Sequence, residues 1–226
     1  MNATAITTTT PDCKGKFDRT ARFYEKLARV YSTGQIEAAK ASQLEEIAPN
    51  QNVLYCGVGG GEDAVLAAEK ANVTCIDLSQ QMLSRVERKL NKHGHRAHLI
   101  QGDVLQHQQT EHYDVVTANF FLNCFRPEPM QQMLAHLASL VRPGGKLLIA
   151  DVAVPQGNWL YQAIHQCHNA VGITSFWLLG LVPLHGIYDY RGLFPEVGLA
   201  HSQTKTFRLA KIGPVAYEAI TAVKPK

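Results

Sequence analysis

Three closely spaced glycines and one aspartate have the residue types and spacing needed to bind a nucleotide-like cofactor. Gly57, Gly59 and Gly61 follow a short apolar segment and precede a helix-forming sequence. Glycine lets the backbone turn tightly and approach a ligand where any Cβ would clash. Asp77 ends the next apolar segment. Because a carboxylate at the end of the second strand of a nucleotide-binding half can accept ribose hydroxyls, we expect an adenosine-containing cofactor.

The glycine spacing and the residues after it distinguish between cofactors. Dinucleotide enzymes usually show G-x-G-x-x-G, with a pyrophosphate at the start of the helix. This chain has G-x-G-x-G followed by Glu62 and Asp63. These carboxylates suit the positive end of a helix dipole but would repel a pyrophosphate. A cofactor with a zwitterionic amino-acid tail fits better, so the pattern favours S-adenosylmethionine (SAM) over NAD.

Three later blocks extend the pattern. Residues 101–104 end a predicted third strand, 113–119 form a fourth, and 140–151 contain a helix end, a Pro-Gly-Gly turn and a fifth strand. In order and spacing, these blocks and the glycine loop resemble the class I SAM-dependent methyltransferases over residues 17–152. Within that superfamily, the pattern is most similar to the quinone-biosynthesis C-methyltransferase-like group.

The resemblance assigns cofactor contacts by position. It implies that the three glycines line the methionine part of SAM, that Asp77 binds the ribose, and that an adenine pocket follows. It also shows one departure, because most members carry Asp or Glu where this chain has Tyr55. Two consequences stay open: weaker SAM binding, or compensation by another group such as the Tyr31 hydroxyl or the Asn119 carbonyl. The implied cofactor-binding residues are Tyr31, Tyr55, Gly57, Gly59, Gly61, Asp77, Leu78, Met82, Asp103, Val104 and Asn119.

Apolar segments alternate with helical periodicity along the chain, which predicts an α/β fold with a parallel sheet covered on both faces. The resemblance implies a Rossmann-like sheet of seven strands, mostly parallel with an antiparallel last strand, and helices on both faces; the apolar segment 155–190 adds a predicted apolar helical cap. Strands are predicted near 201–208 and 215–223, and a helix over 189–198. Residues 1–15 form a predicted disordered tail, and 16–226 a single methyltransferase domain.

The segment 155–190 is an apolar, aromatic-rich insert between the fifth strand and the end of the chain. Because ligands of open α/β sheets bind beyond the carboxyl ends of the strands, we expect this insert on the substrate side. From 171 to 184 it has no charged residue, yet this stretch is too short to cross a bilayer. Two interpretations stay open: a cap packed on the core, or a cap that lines an apolar pocket or makes a peripheral membrane contact.

Histidines in and after this insert are the candidate catalytic residues. His185 with Asp189 could supply a general base and its orienting carboxylate, because histidine titrates near neutral pH. His165 and His168 are the second choice, since residues three apart share a helix face. Their alternative roles are hydrogen-bonded or solvated histidines and ordinary turn and capping contacts. No metal is expected, because a third ligand is hard to find for these pairs.

Composition excludes several classes of protein. The formal net charge is +3 with both signs interspersed, so no basic tract favours nucleic acid. The five cysteines form no C-x-x-C pair, and the N-terminus lacks the apolar core of a signal peptide. We expect a cytoplasmic protein whose oligomeric state is open.

The expected function is methyl transfer from SAM to a small, largely apolar acceptor that is aromatic, phenolic or quinol-like. Two alternatives remain: a SAM-binding enzyme with non-methylating chemistry, prompted by Tyr55, and a non-catalytic protein that binds SAM or S-adenosylhomocysteine (SAH).

Overall fold

A seven-stranded sheet organises the chain in the computed structural model, which describes residues 29–180 and 182–226. The predicted tail at 1–15 and the start of the domain lie outside the described residues. The strands run in the order β3-β2-β1-β4-β5-β7-β6. Their bounds are β1 Asn52–Cys56, β2 Asn72–Asp77, β3 His98–Gln101, β4 Tyr113–Asn119, β5 Val141–Val152, β6 Ala200–Arg208 and β7 Val215–Val223.

The strand directions confirm the predicted Rossmann-like arrangement. The pairs β3-β2, β2-β1, β1-β4 and β4-β5 are parallel. Strand β7 is antiparallel to both of its neighbours, β5 and β6. The parallel order brings the carboxyl ends of β1, β2, β4 and β5 to one edge of the sheet. The antiparallel strands β7 and β6 follow β5 at the end of the strand order.

Five helices are described, and their ends follow the local sequence. Ser79 caps α3, where its hydroxyl accepts the backbone N–H of Met82 at 3.2 Å. Asn158 caps α5 in the same way, accepting from the N–H of Tyr161 at 3.0 Å. Both caps satisfy amides that have no partner inside the helix. The bounds are α1 Gln35–Ser42, α2 Glu62–Ala67, α3 Gln80–His93, α4 Pro127–Leu140 and α5 Trp159–Leu178.

Each face of the sheet has its own apolar core. On β1, Leu54 and Cys56 pack on the α4 face, whereas Val53 and Tyr55 pack on the α2 and α3 face. Alternate residues of a strand point to opposite faces, so a run that is apolar throughout must be covered on both sides. This confirms the prediction of helices on both faces.

Two local predictions were wrong. The Pro-Gly-Gly turn lies inside β5 as an irregularity in the pairing with β4, where the register jumps from Tyr113↔Val141 to Val115↔Lys146. Residues 189–198 contain two short 3₁₀ helices, Tyr190–Gly192 and Pro195–Val197, instead of one helix. A proline at 195 lacks the N–H that a continuous helix would use. No helix among the described residues is long and apolar enough to cross a bilayer.

Candidate cofactor and acceptor site

A cavity of about 520 Å³ opens at the carboxyl ends of β1, β2, β4 and β5. One half of it, the glycine-loop half, is bounded by the loop after β1 and by the ends of β2 and β3. The other, the aromatic half, lies between the ends of β4 and β5, helix α5 and the segment after it. Its aromatic lining includes Phe120, Phe121, Phe125, Phe176, Tyr188 and Tyr217.

Two glycines of the loop hold positions that a larger residue could not take without a clash or strain. Gly57 packs against Phe121, and Gly59 borders the cavity. Gly57 has φ +68°, and a Cβ there would lie 2.5 Å from the Phe121 ring. Gly59 has φ +51° and lines the cavity, with no protein atom within 4 Å of where its Cβ would be. This open space beside the backbone is what a closely bound ligand requires.

Asp77 lies at the end of β2 and lines the glycine-loop half of the cavity. Its Oδ2 accepts the N–H of Val58 at 2.9 Å, and its Oδ1 accepts the N–H of Ser79 at 2.8 Å. These bonds fix the carboxylate and tie the glycine loop to β2. A carboxylate oxygen can accept more than one hydrogen bond, so this geometry is compatible with a ribose.

The predicted adenine contacts come together in the same half. Leu78, Met82, Asp103 and Val104 all line the cavity. Asp103 is held by the N–H of Leu105, which its Oδ1 accepts at 3.0 Å. An apolar slot with one carboxylate at its rim matches the two faces and the amino group of an adenine.

Two predicted cofactor residues lie elsewhere. Tyr55 does not line the cavity; it is 4% exposed in the core, where its hydroxyl donates to the Asp63 carbonyl at 3.3 Å. Burial, and then the charge of Asp63, raise the pKa of Tyr55 well above its ordinary value. Gly61 precedes α2 with φ +71°, and a Cβ there would overlap Val86 instead of facing the cavity. Both are packing positions, because Tyr55 belongs to the core shared with α2 and α3 and Gly61 leaves room for Val86 of α3.

A buried charged network beside the glycine loop was missed by sequence reasoning. Asp63 is 5% exposed, and its Oδ1 lies 3.0 Å from Lys40 Nζ. Asp63 Oδ2 accepts a hydrogen bond from Asn119 Nδ2 at 2.9 Å. The Oδ1 of the same asparagine accepts one from the backbone N–H of Ala150 at 3.2 Å. Lys40 and Asn119 both line the cavity. The sequence signal was the pair of acidic residues, Glu62 and Asp63, after the glycine loop.

Tyr31 joins the beginning of the described chain to α5. Its ring stacks on His168 with centroids 4.0 Å apart, and its hydroxyl donates to the His168 carbonyl. Burial raises the pKa of Tyr31 to about 12. Gly172 permits this approach, because a Cβ there would lie 2.5 Å from the Tyr31 hydroxyl. Tyr31 therefore lines the cavity as a neutral phenol.

His165 and His168 both point inward from α5, but only His168 lines the cavity. Its Nε2 lies 3.1 Å from the Tyr217 hydroxyl. Burial, and then the neighbouring His165, lower the pKa of His168. His165 is 1% exposed, and burial lowers its pKa as well. His165 is therefore a packed, neutral side chain, and its predicted place among groups facing a substrate is wrong.

The predicted pair of His185 and Asp189 is not formed. His185 lines the cavity, but its Nε2 lies 2.7 Å from the Asn123 carbonyl and its Nδ1 2.6 Å from the Gly186 carbonyl. Asp189 accepts from Arg191 Nε at 2.9 Å instead. Asp189 caps the 3₁₀ helix that begins at Tyr190 and accepts the backbone N–H of Arg191, so its carboxylate is engaged within that turn.

Asp151, at the carboxyl end of β5, is the main site residue that sequence reasoning missed. It is 2% exposed, lines the cavity and accepts three hydrogen bonds. They come from the Tyr190 hydroxyl at 2.6 Å, from Asn123 Nδ2 at 2.7 Å and from the N–H of Val152 at 2.7 Å. Burial raises the pKa of Asp151 to about 6, although Tyr190, the Val152 amide, Asn123 and His185 oppose the shift.

The cap has two different faces. Toward the cavity, α5 presents Asn169, Ile173 and Phe176. Its outer face exposes large apolar side chains, among them Trp159, Leu160, Val171 and Leu178. The pocket-lining interpretation of this insert is therefore supported, while the peripheral membrane contact stays a prediction. The described residues contain no cluster of three metal ligands, and the cysteines among them are free thiols.

Comparison with known proteins links this geometry to methyl transfer. Residues 53–145 match the family model described as a methyltransferase domain. The demethylmenaquinone methyltransferase of Leptospira interrogans is 26% identical over 174 residues, or 69% of this chain and 62% of its own length. The protein-L-isoaspartate O-methyltransferase of Thermococcus onnurineus is 29% identical over 66% of each chain. The chain thus spans less than two thirds of these curated relatives.

Solved structures share the whole fold. The Burkholderia thailandensis 1,6-didemethyltoxoflavin-N1-methyltransferase, determined with its substrate and SAH, has a TM-score of 0.66 at 17% identity, covering 93% of this chain and 87% of its own. The magnesium protoporphyrin IX methyltransferase of Synechocystis, determined with SAH, has a TM-score of 0.65 at 20% identity, covering 92% and 93%. At these identities the likeness is one of fold.

Proposed function

We propose that the chain is a class I SAM-dependent methyltransferase that transfers the methyl group of SAM to a small-molecule acceptor. The observation that carries the proposal is the single cavity that joins a glycine-loop half to an aromatic half. One half has the groups for an adenosine and an amino-acid tail. The other is apolar enough for the acceptor and continuous with the first.

The residues of the glycine-loop half fit SAM. The open space at Gly59 would take the methionine part, and Asp77 would accept ribose hydroxyls. On α1, Glu37 and Lys40 both line the cavity with opposite charges, which suits an ammonium and a carboxylate on the same ligand. When bound, SAM supplies an activated sulfonium methyl, so the protein needs neither a metal nor a nucleophile of its own.

The aromatic half favours a flat, largely apolar acceptor of phenolic or quinol-like type. Aromatic side chains from the segment after β4, from α5 and from the segment after α5 line this half and would exclude water. Holding the acceptor at near-attack distance is the main task, because the methyl is already activated. A pocket with little water favours a step in which the sulfonium charge disappears. Names of relatives that act on a demethylmenaquinone and a toxoflavin precursor support a cyclic acceptor.

Among the predicted catalytic histidines, His168 and His185 line the cavity and remain candidates for contacting the acceptor. We place the protein in the cytoplasm and assign it no nucleic-acid partner, on the composition and the small cavity. Its oligomeric state and the single-domain boundary at 16–226 remain predictions.

Calorimetric titration with SAM, SAH and NAD⁺ in parallel tests the proposal. We expect SAM and SAH to bind and NAD⁺ not to bind. Asp77→Ala should remove most of the affinity for SAH, whereas Glu196→Ala, an exposed carboxylate, should leave it unchanged. Absence of SAM binding by the wild-type protein would refute the proposal.

Turnover separates the alternatives. The protein is incubated with SAM and a panel of phenols, quinols and thiols, and SAH and the acceptor product are measured by mass spectrometry. A methylated product supports methyl transfer. SAH-independent consumption of SAM, or a product without the added methyl, would favour other SAM chemistry. Binding without turnover over the whole panel would favour a non-catalytic binder.

A further inference from the structure

Asp151 is a carboxylate at the end of β5 that lines the aromatic half of the cavity. From residue 105 to the end of the described chain, it is the one Asp, Glu, Lys or Arg that lines the cavity. No Lys or Arg among the described residues forms an ion pair with it. A carboxylate that is 2% exposed and has no Lys or Arg partner among the described residues depends on hydrogen bonds for its stabilisation.

The hydrogen bonds at Asp151 are unevenly divided between its two oxygens. Oδ1 accepts two, from Asn123 Nδ2 and from the N–H of Val152, both at 2.7 Å. Within the described ranges, Oδ2 accepts only one, from the Tyr190 hydroxyl at 2.6 Å. Each carboxylate oxygen has two lone-pair sites. One acceptor site is therefore left, and it belongs to Oδ2, in a side chain that lines the cavity.

We propose that the acceptor is a protic nucleophile, with a phenolic O–H or a ring N–H, which donates to Asp151 Oδ2, and that Asp151 takes this proton during methyl transfer. This inference rests on the proposed function and specifies its acceptor and its base. A donor at Oδ2 completes the hydrogen bonding of a buried carboxylate, which an apolar acceptor or an ether could not do.

The step balances in atoms and charge. The nucleophile oxygen or nitrogen forms a bond to the methyl carbon while the carbon–sulfur bond breaks, and its electron pair remains on sulfur. The proton of the nucleophile passes to Asp151 Oδ2. A sulfonium cation and a carboxylate anion become a thioether and a carboxylic acid, so two opposite charges vanish together. A cavity with little water favours such a change.

His185 is less suited to the same role. Both of its ring nitrogens lie within 2.7 Å of backbone carbonyl oxygens, those of Asn123 and Gly186. A neutral imidazole has one donor nitrogen and one acceptor nitrogen, and these contacts orient both toward acceptors of the protein. His185 instead lies close enough to Asp151 to oppose, as the smallest of four contributions, the rise that burial causes in the pKa of Asp151.

Binding of a matched pair of probes to the SAH-loaded wild-type protein tests the inference. 1-Naphthol carries the donor hydroxyl, and 1-methoxynaphthalene has the same ring without the donor. We expect 1-naphthol to bind at least about tenfold more tightly than 1-methoxynaphthalene, because a hydrogen bond to a charged group contributes that much affinity. Equal affinities in the wild-type protein would overturn the inference, and this comparison needs no variant.

The Asp151→Asn variant tests whether Asp151 causes the preference for 1-naphthol over 1-methoxynaphthalene. The amide oxygen must stay with Asn123 and Val152, so the amide N–H₂ faces the open position and becomes a donor. The preference for 1-naphthol should vanish or reverse. Tyr190→Phe should retain it, because Oδ2 is still present, and Glu196→Gln is the surface control. A D151N protein that still prefers 1-naphthol tenfold contradicts the assignment to Asp151.

SAH binding separates this inference from the proposed function. If the wild-type protein fails to bind SAH, the proposed function is wrong. If wild-type and D151N proteins both bind SAH but neither distinguishes the two probes, only the inference about the acceptor and its base is wrong.

Discussion

Lys40 Nζ lies 3.0 Å from Asp63 Oδ1, and this ion pair connects α1 to the first turn of α2 beside the glycine loop. The side chains are only 17% and 5% exposed. Burial lowers the pKa of Lys40, but the charges of Asp63, Glu62 and Glu37 outweigh it and hold the pKa above its ordinary value. The pair is thus a buried charge contact that also forms part of the cavity wall.

Removing the cation should destabilise the fold strongly. Lys40→Met leaves the Asp63 carboxylate buried without its partner, which costs about 3 kcal/mol or more. Adding Asp63→Asn should recover part of this loss, because the uncompensated charge is then removed. Urea unfolding of the two single variants and the double variant measures the coupling.

The matched control is Lys205→Met, since Lys205 pairs with the exposed Glu45. Its effect should be far smaller, because exposed pairs contribute little. Additive losses in the Lys40 and Asp63 variants would show that the two residues are not coupled.

Tyr55 should tolerate loss of its hydroxyl but not replacement by an acid. Tyr55→Phe removes one hydrogen bond, to the Asp63 carbonyl, and should cost about 1 kcal/mol at most while SAH affinity is unchanged. Tyr55→Asp, the residue type common in the superfamily, would place a second carboxylate in the core near Asp63 and should lower the melting temperature markedly. Tighter SAH binding by Y55D without loss of stability would contradict the core placement.

Gly172→Ala should disturb Tyr31. The new Cβ would lie 2.5 Å from the Tyr31 hydroxyl, so the ring must leave its stack on His168 and SAH affinity should fall. Alanine raises helix propensity by about 1 kcal/mol over glycine, which opposes this loss in stability. Calorimetry with SAH and thermal unfolding separate the two effects.

In a Tyr31→Phe background the clash is smaller, because the hydroxyl oxygen is absent. The effect of Gly172→Ala on SAH affinity should therefore shrink in that background. Gln166→Ala, at an exposed position of the same helix, is the control for a surface change. Equal effects of G172A in both backgrounds would rule out contact with the Tyr31 hydroxyl.

Asp151 should make stability depend on pH in the direction opposite to that of a salt-bridged carboxylate. Burial raises its pKa from 3.8 to about 6, so the folded state binds the proton more tightly than the unfolded state. This contribution is present at low pH and is lost as the pH rises through 6. A shift from 3.8 to about 6 corresponds to about 3 kcal/mol.

Urea unfolding of wild-type and Asp151→Asn proteins between pH 4 and pH 7 provides the measurement. The stability of the wild-type protein relative to D151N should fall over this interval by about 2 kcal/mol, because part of the full effect lies below pH 4. A constant difference from pH 4 to pH 7 would show that the pKa of Asp151 is not raised.

The sequence alone determined the order of the elements, the sheet type and most of the glycine-loop half. These features are local: a glycine loop directly follows its strand, and Asp77 directly ends the next one. Parallel strands must place their carboxyl ends at one edge, so Asp77, Asp103 and Asn119 could be brought together from strand order alone. Apolar strands likewise required helices on both faces.

Only the tertiary structure decided which way individual side chains face and which distant residues meet. Tyr55 points into the core and Cys56 to the opposite face, a choice fixed by the register of β1 in the sheet. Asp151 accepts hydrogen bonds from Asn123 and Tyr190, which lie 28 and 39 positions away in the chain. Local sequence periodicity cannot predict such contacts, because they depend on how segments distant in sequence pack against the end of β5.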